Sequence, residues 1–244
     1  MKKHKICKIL LVILAIFLCV AFYELLGICV AYKKQPEVSN TTKKETKNGS
    51  WNECSENTER AVIIEKNPEA LLQRVRLIKN AKKEIILSTF AFQSDESGKL
   101  ILGALHDAAD RGVHIRLLVD GMESWIDMEG NPYFYGLSSH ENVEIKLYNK
   151  ANPLKPWKMM GRMHDKYLIA DGKRYILGGR NTYNYFLGDF PGHKNYDRDV
   201  LVVCDEPEKE NSVNQLLEYF ETIWEQEDSG YFHNNKKLAN RKSV

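Results

Sequence analysis

The chain begins with a long apolar segment. Residues 6–32 contain only two charged side chains, Lys8 near the start and Glu24 near the end. A helix of about 20 apolar residues crosses a hydrocarbon core about 30 Å thick. The segment therefore predicts one transmembrane helix, with Glu24 at an interface or beside a partner. A cleaved signal peptide and a buried core helix are the alternatives, but the apolar stretch is long and no clear Ala-x-Ala site follows it. We expect residues 1–32 to be an uncleaved membrane anchor.

Residues 33–59 have a different pattern. They are rich in Lys, Ser, Thr, Asn and Glu and show no apolar periodicity, which predicts a flexible polar linker. From about residue 60 helical and strand patterns alternate as far as residue 228, which we take as one domain. The last residues, 229–244, are polar and predict a frayed tail.

The domain pattern predicts both helices and strands. Apolar residues at three- and four-residue spacing predict helices over 67–79, 97–111 and 213–224. Asn67-Pro68 suits the N-cap and first turn of the first helix, and Gly112 suits the end of the second. Alternating or continuous apolar runs predict strands over 62–64, 84–92, 113–120, 143–148, 166–170, 175–177 and 200–204. This alternation predicts an α/β fold, with a mixed sheet flanked by helices.

Two stretches of the domain have no periodicity. Residues 121–140 contain Trp125 and three consecutive aromatics, and residues 149–163 mix Lys with Trp157 and Met. Long irregular stretches in a compact domain are usually functional or mobile. The second stretch is either the wall of a membrane-adjacent site or a surface loop with one buried Trp.

Charge is divided unevenly along the chain. The net charge is +2, but residues 1–35 hold six Lys and one Glu, or +5, which leaves −3 for the rest. A faintly acidic domain gives no support for a large nucleic-acid surface. The lysines before the apolar segment favour a cytoplasmic N-terminus and an extracytoplasmic domain, although Lys33 and Lys34 weaken that assignment.

Cysteine content adds one open question. Five Cys in 244 residues exclude a disulfide-dense scaffold, and three of them lie in the apolar segment. Cys54 and Cys204 remain, and they either pair or stay free.

The densest chemistry lies in residues 163–181. If 166–170 is a strand, His164 and Lys166 project to the same face. Asp171-Gly172 suits a hairpin turn, and the returning strand brings 178–179 and Asn181 to the same end. An imidazole, an ammonium and an amide grouped around open glycine backbone suit a phosphodiester, with a nucleophile that needs no metal. Either Asp197 or Asp199, which flank the next strand, could orient the imidazole.

These residues carry a resemblance to a known family. His-x-Lys-x4-Asp at 164–171, followed by Gly-Gly-x-Asn at 178–181, resembles the signature of the phospholipase D superfamily. Residues 110–120 resemble the helix-to-strand segment upstream of that signature. Arg162-Met163-His164, together with 178–181, resembles the first catalytic half of bacterial cardiolipin synthases. The similarity covers roughly 61–226 and implies a phospholipase D-like fold.

The resemblance implies roles for particular residues. His164 is expected to attack phosphorus and form a phosphohistidine, with Lys166 and Asn181 binding the phosphoryl oxygens beside the backbone of Gly178 and Gly179. Asp197 is expected to hold the tautomer of His164, and Asp171 to anchor the turn as a structural acid. Gly179 stands where many members have Ser, so one hydroxyl donor is missing, as it is in cardiolipin synthases. No metal or other cofactor is expected, and His193 is expected to be exposed and not catalytic.

One feature departs from the family pattern. Family enzymes use two such motifs, because a second His protonates the leaving group. No such motif begins at the other histidines, which are His4, His106, His114, His140, His193 and His233. The site is therefore completed by a homodimer with one His164 from each chain, or the chain is half of an enzyme.

Together these observations predict a membrane-anchored phosphodiesterase or phosphatidyltransferase that acts on phospholipids, of the phospholipase D or cardiolipin synthase kind. Its expected partners are a phospholipid substrate, the membrane and a second copy of the chain. The alternatives are a dimeric single-motif nuclease, which the acidic domain disfavours, and an inactive or truncated half that binds lipid or a partner.

Overall fold

The computed structural model describes residues 2–33, 39–41, 43–44, 59–206 and 211–232. The helices are α1 (Lys2–Lys33), α2 (Asn67–Asn80), α3 (Glu96–Asp110), α4 (Trp125–Met128), α5 (Pro132–Ser138) and α6 (Ser212–Trp224). The strands are β1 (Glu59–Ile64), β2 (Glu84–Thr89), β3 (His114–Asp120), β4 (Val143–Tyr148), β5 (Lys166–Ala170), β6 (Arg174–Gly178), β7 (Asp199–Cys204) and β8 (Ser229–Tyr231). They form two compact units: Met1–Ser55 with Ala151–Gly161, and Glu56–Lys150 with Arg162–Val244.

The first unit is built on α1. Its 28-residue span His4–Ala31 is long and apolar enough to cross a membrane, with a mean hydropathy of 2.9 and none of that window buried. The predicted apolar helix is therefore present, and its insertion in a membrane stays a prediction. The segment Ala151–Gly161 contains one 3₁₀ turn, Pro156–Lys158. Its Leu154 carbonyl accepts a hydrogen bond of 3.0 Å from the Tyr23 hydroxyl within this unit.

The second unit is a mixed sheet of eight described strands in the order β1-β7-β6-β5-β2-β3-β4-β8. Strands β2, β3 and β4 are parallel to one another. Every other neighbouring pair is antiparallel, including the pair β2 and β5 at the centre. The predicted mixed α/β sheet is confirmed.

Helices cover both faces of this sheet because side chains alternate along the strands. Ile85 and Leu87 of β2 belong to the core cluster that contains the buried face of α2 and α3. Ile86, between them, belongs to a second cluster with Phe220 and Trp224 of α6. A strand that is apolar at successive positions therefore serves two cores, in line with the buried strand predicted over 84–92.

The structure differs from the predicted element ends at several points. Asn67 is the first residue of α2 and not its N-cap, which is Lys66 without a side-chain cap. Its amide instead donates to the Asn195 carbonyl at 2.8 Å. Strand β2 ends at Thr89, three residues before the predicted end, and 121–140 contains the short helices α4 and α5.

The prediction that a frayed tail begins at residue 229 was also wrong. Residues 229–231 form the edge strand β8, which pairs with β4, and Phe232 is 1% exposed in the core. Residues 233–244 and most of the predicted linker lie outside the described residues. So does Cys54, whereas Cys204 is a buried free thiol.

Candidate active site

The predicted site residues collect at one end of the central strands. Strand β5 begins at Lys166, and its antiparallel neighbour β6 ends at Gly178, so both termini lie at the same edge. Strand β2 is antiparallel to β5 and brings Phe90 there directly after its last residue. The parallel strand β3 ends at this edge with Asp120. We call this end of the four strands β2, β3, β5 and β6 the site edge.

Lys166 is a buried cation at the site edge. The residue is only 5% exposed, and its Nζ donates a hydrogen bond to the backbone carbonyl of His164 at 2.7 Å. Burial lowers the pKa of Lys166 to about 8, although the charges of Asp165 and Asp197 oppose the shift. An anion placed beside this ammonium would stabilise its charged form.

His164 is exposed, in contrast to Lys166. Its ring contacts Phe90 edge-on, with centroids 4.7 Å apart and planes at 60°. The same Phe90 ring lies 5.2 Å from Nζ of Lys166. No described residue forms a hydrogen bond with the imidazole, so both ring nitrogens are open to a substrate. The sequence reasoning did not predict Phe90, which links the imidazole and the ammonium.

Asn181 is held in one orientation. Its Oδ1 accepts a hydrogen bond of 3.2 Å from the backbone N–H of Ala91. Because that contact requires an acceptor, it also fixes which end of the amide is the NH₂ group. Nδ2 has no partner among the described residues and can donate to a ligand oxygen. The neighbouring Thr182 N–H bonds the Ala91 carbonyl at 3.0 Å, which ties the two loops together.

Carboxylates occupy the space beside the two glycines. A Cβ at Gly178 would lie 1.9 Å from Oδ1 of Asp199, and a Cβ at Gly179 would lie 2.0 Å from Oδ2 of Asp197. Contacts this short are sterically forbidden. Glycine at these two positions therefore leaves room for the carboxylates of Asp199 and Asp197. A Ser side chain at 179 would clash with Asp197.

The two candidate acids differ in their surroundings. Asp199 is 2% exposed and forms ion pairs with Arg74 at 2.9 Å and Arg180 at 3.2 Å. Asp197 is partly exposed, accepts a hydrogen bond of 2.7 Å from the N–H of Arg198, and its charge acts on Lys166. Asp199 is thus held in the interior by its two ion pairs, whereas Asp197 lies at the site edge. In this structure Asp197 has no hydrogen bond with His164, so its orienting role stays a prediction.

Arg180 fastens the loop that carries Asn181. This guanidinium is 1% exposed and donates to the carbonyls of Ile64, Glu65 and Asp197. It also donates to Oδ1 of Asn67 at 3.1 Å. The sequence reasoning assigned it no role, since its partners lie up to 116 residues away.

Asp171 lies at the opposite end of β5 from His164. Its Oδ1 accepts hydrogen bonds from the backbone N–H groups of Lys82, Lys83 and Glu84 at 2.7–3.1 Å. Its φ of 55° turns the chain out of the strand. These contacts hold the turn in place, and the structural role that the resemblance implied for Asp171 stays a prediction.

Asp120 is a further acid that the sequence reasoning missed. It is fully buried, and its Oδ2 accepts a hydrogen bond of 3.1 Å from the N–H of Met163, the residue before His164. Its Oδ1 accepts hydrogen bonds of 3.0 Å from Met122 and Glu123. An acid at the end of an apolar strand was the available signal.

Other predicted features lie away from these groups. His193 is exposed and stacks obliquely on Tyr185, with ring centroids 5.4 Å apart. Within the described ranges, no three His, Cys, Asp or Glu side chains are grouped so that they could hold a metal ion.

Comparisons with known proteins agree with the family resemblance and the fold. The family profile described as "Cardiolipin synthase, PLD-like domain" matches residues 74–224. Cardiolipin synthase C of Escherichia coli is 29% identical over 171 residues, 64% of this chain and 34% of that protein. Cardiolipin synthase 1 of Staphylococcus aureus is 34% identical over 117 residues, 48% of this chain and 23% of that protein. The chain thus spans about a third or less of the length of these curated relatives.

A solved structure shows the same fold. The phospholipase D family member Nuc from Salmonella typhimurium superposes with a TM-score of 0.51 at 19% identity. The match covers 72% of this chain and 99% of that one. Nearly all of that chain therefore superposes on the fold described here.

Proposed function

Because the chain belongs to the phospholipase D superfamily and is cardiolipin synthase-like, we propose that it is a membrane-anchored phosphodiesterase or phosphatidyltransferase acting on phospholipids. The observation that carries the proposal is the arrangement at the site edge. An exposed imidazole without a hydrogen-bond partner among the described residues lies beside a buried ammonium and a free amide NH₂. The apolar helix α1 supports the membrane part of the proposal.

The reaction follows from these groups. A ring nitrogen of His164 attacks phosphorus and forms a P–N bond as the P–O bond to the leaving alcohol breaks. A second imidazole gives its proton to the departing oxygen. Water or an alcohol then gives its proton to that imidazole and attacks the phosphohistidine. The P–N bond breaks and His164 is regenerated.

Lys166 and Asn181 stabilise the charge that develops on the non-bridging oxygens. The Lys166 ammonium lies in a low-dielectric setting over Phe90, where its interaction with an oxyanion is stronger than in water. The Asn181 amide is already oriented by Ala91, so it loses little freedom when it donates. Asp197 is the carboxylate that would accept a hydrogen bond from one ring nitrogen of His164 and so hold the other towards phosphorus.

The second imidazole comes from a second copy of the chain. Three of the other described histidines pair with carboxylates: His106 with Asp110, His114 with Glu84 and Glu144, and His140 with Asp110. His193 stacks on Tyr185, and His4, the remaining described histidine, lies in the apolar helix α1. A two-fold dimer with one His164 from each chain supplies both imidazoles.

Trapping the covalent intermediate tests the proposal. The full chain is reconstituted in phosphatidylglycerol vesicles, quenched after a short reaction in alkaline denaturant and measured by intact mass. We expect a phosphatidyl adduct that maps to His164. His164→Ala should carry no adduct, and the matched control His193→Ala should carry as much as the unmodified protein.

The outcomes separate the alternatives. A nucleotide adduct formed from single-stranded DNA, with none from lipid, would replace the phospholipid substrate with nucleic acid. An adduct unaffected by His164→Ala would reject the nucleophile. Native mass measurement of the active protein tests the second copy, because an active monomer contradicts it.

A further inference from the structure

Three large apolar side chains are exposed beside the site edge. Met122, Trp125 and Ile126 are 42%, 50% and 78% exposed, and they follow β3 in the loop and short helix α4. We call them the apolar rim. We propose that the apolar rim inserts into the interfacial layer of a phospholipid bilayer and presents the site edge to lipid headgroups. The inference rests on the proposed function, because it names the surface through which that function reaches its substrate.

The apolar rim is fastened to the reacting groups. The buried carboxylate of Asp120 accepts the N–H of Met122 on one oxygen and the N–H of Met163, next to His164, on the other. The buried Ser124 hydroxyl donates to the carbonyl of Phe90 at 3.0 Å, and the Phe90 ring contacts His164. A bilayer that holds the rim therefore also fixes the height of the imidazole above the membrane surface.

The chemistry of the apolar rim favours lipid as the occupant. Trp is enriched at membrane–water interfaces, where its ring is partly apolar and its N–H remains hydrated. Residues 121–139 contain three acids (Glu123, Asp127 and Glu129) and no Lys or Arg. Binding of a nucleic-acid backbone depends on clustered basic side chains, which this stretch lacks, whereas insertion of apolar side chains into lipid requires none.

A second copy of the chain is a weaker candidate for this surface. A stable interface buries about 800 Å² on each partner, which is more than three half-exposed side chains offer. Insertion of apolar side chains also predicts a particular salt response. Binding through the apolar rim should change little with ionic strength, because the hydrophobic contribution is not screened.

The first experiment measures contact with lipid. The full chain is reconstituted in phosphatidylcholine vesicles with brominated acyl chains, and tryptophan quenching is compared between the unmodified protein and Trp125→Phe. The difference between the two isolates Trp125 from Trp51, Trp157 and Trp224. We expect Trp125 to be quenched, and absence of quenching would overturn the proposal.

The second experiment compares rates on two substrates. The combined variant Trp125→Ser/Ile126→Ser is assayed on phosphatidylglycerol in a bilayer and on a dissolved short-chain phosphodiester. We expect the ratio of bilayer rate to dissolved-substrate rate to fall about tenfold, since two large apolar contacts with lipid are lost. Leu72→Ser/Leu100→Ser, at positions 46% and 52% exposed on α2 and α3, is the matched control and should leave the ratio unchanged.

Each remaining outcome has a defined meaning. An unchanged ratio in the rim variant, or an equal fall in the control, would overturn the proposal. A rim variant that loses dimer mass would assign the surface to a second copy, and weaker cross-linking to single-stranded DNA would assign it to nucleic acid. If the unmodified protein has no activity on either substrate, the proposed function fails, while quenching of Trp125 still decides the apolar rim.

Discussion

Replacing Lys166 with Arg tests how the site edge recognises a phosphoryl group. Burial lowers the pKa of Lys166 to about 8, so this ammonium loses its proton within a range that the enzyme can be assayed in. A guanidinium remains charged throughout that range. The substitution therefore keeps the positive charge and removes its titration.

The expected size of the effect follows from that pKa. With a pKa of about 8, about nine-tenths of the free enzyme carries the charge at pH 7 and about one-tenth at pH 9. We expect kcat/KM of the unmodified protein to fall about tenfold over this interval. The fall in kcat should be smaller, because a bound phosphodiester raises the pKa of the ammonium.

Inhibition by sulfate isolates the lysine from the histidines, whose protonation also affects the rate. Sulfate has a constant charge across this range, and its binding requires no proton transfer. The inhibition constant should rise about tenfold between about pH 7 and pH 9 in the unmodified protein. It should stay flat in Lys166→Arg. Lys173→Arg, which changes an exposed lysine in the β5–β6 turn, should behave as the unmodified protein.

The stability of the folded protein does not depend on pH in the same way as sulfate binding and activity do. Between the folded pKa of about 8 and the ordinary value of 10.5, the unfolded chain binds more protons at Lys166 than the folded chain. The contribution of Lys166 to stability therefore rises with pH across this window, while activity falls. A sulfate inhibition constant that is flat to about pH 9, or a basic limb that survives in Lys166→Arg, would refute the reasoning.

Two further substitutions test the acids. Gly179→Ala places a methyl group 2.0 Å from Oδ2 of Asp197, so the carboxylate must move. We expect kcat to fall as far as in Asp197→Asn with the fold intact by circular dichroism, whereas Gly103→Ala, which meets open space in α3, should leave kcat unchanged. Asp171→Ala removes the acceptor of three backbone N–H groups. It should lower the free energy of unfolding by about 2 kcal/mol in urea titration, and Asp171→Asn by about 1 kcal/mol or less. Equal stability of the two Asp171 variants would contradict the anchoring role.

The motif could be found in the sequence because its geometry is local. His164 and Lys166 are two residues apart on a strand, and a two-strand hairpin returns Gly178 and Asn181 to the same edge. The alternation of side chains along a strand and the residue types of the turn are enough to place these groups. The acid that shares the site could not be chosen in this way, because burial, and not spacing, separates Asp197 from Asp199.

The remaining features depend on contacts between distant parts of the chain. In α2 the apolar side chain of Leu72 is 46% exposed, while the charged side chain of Arg74 belongs to a residue that is only 4% exposed. Arg74 is buried because Asp199, 125 residues later, pairs with it. Phe90 and Asp120 were missed for the same reason, since each acts on residues more than 40 positions away.

The strand order has a consequence for joining two copies. The first and last described strands of the domain, β1 and β8, lie at opposite ends of the sheet. With neighbouring strands about 4.8 Å apart, seven spacings separate them by about 34 Å. A single polypeptide in which two such domains stack with their like strands aligned would need a connector that crosses the width of a sheet, which takes about ten extended residues. A tandem protein with one intact His164 and one His164→Ala can be designed on that measure. It would show directly whether one phosphoryl transfer needs both imidazoles.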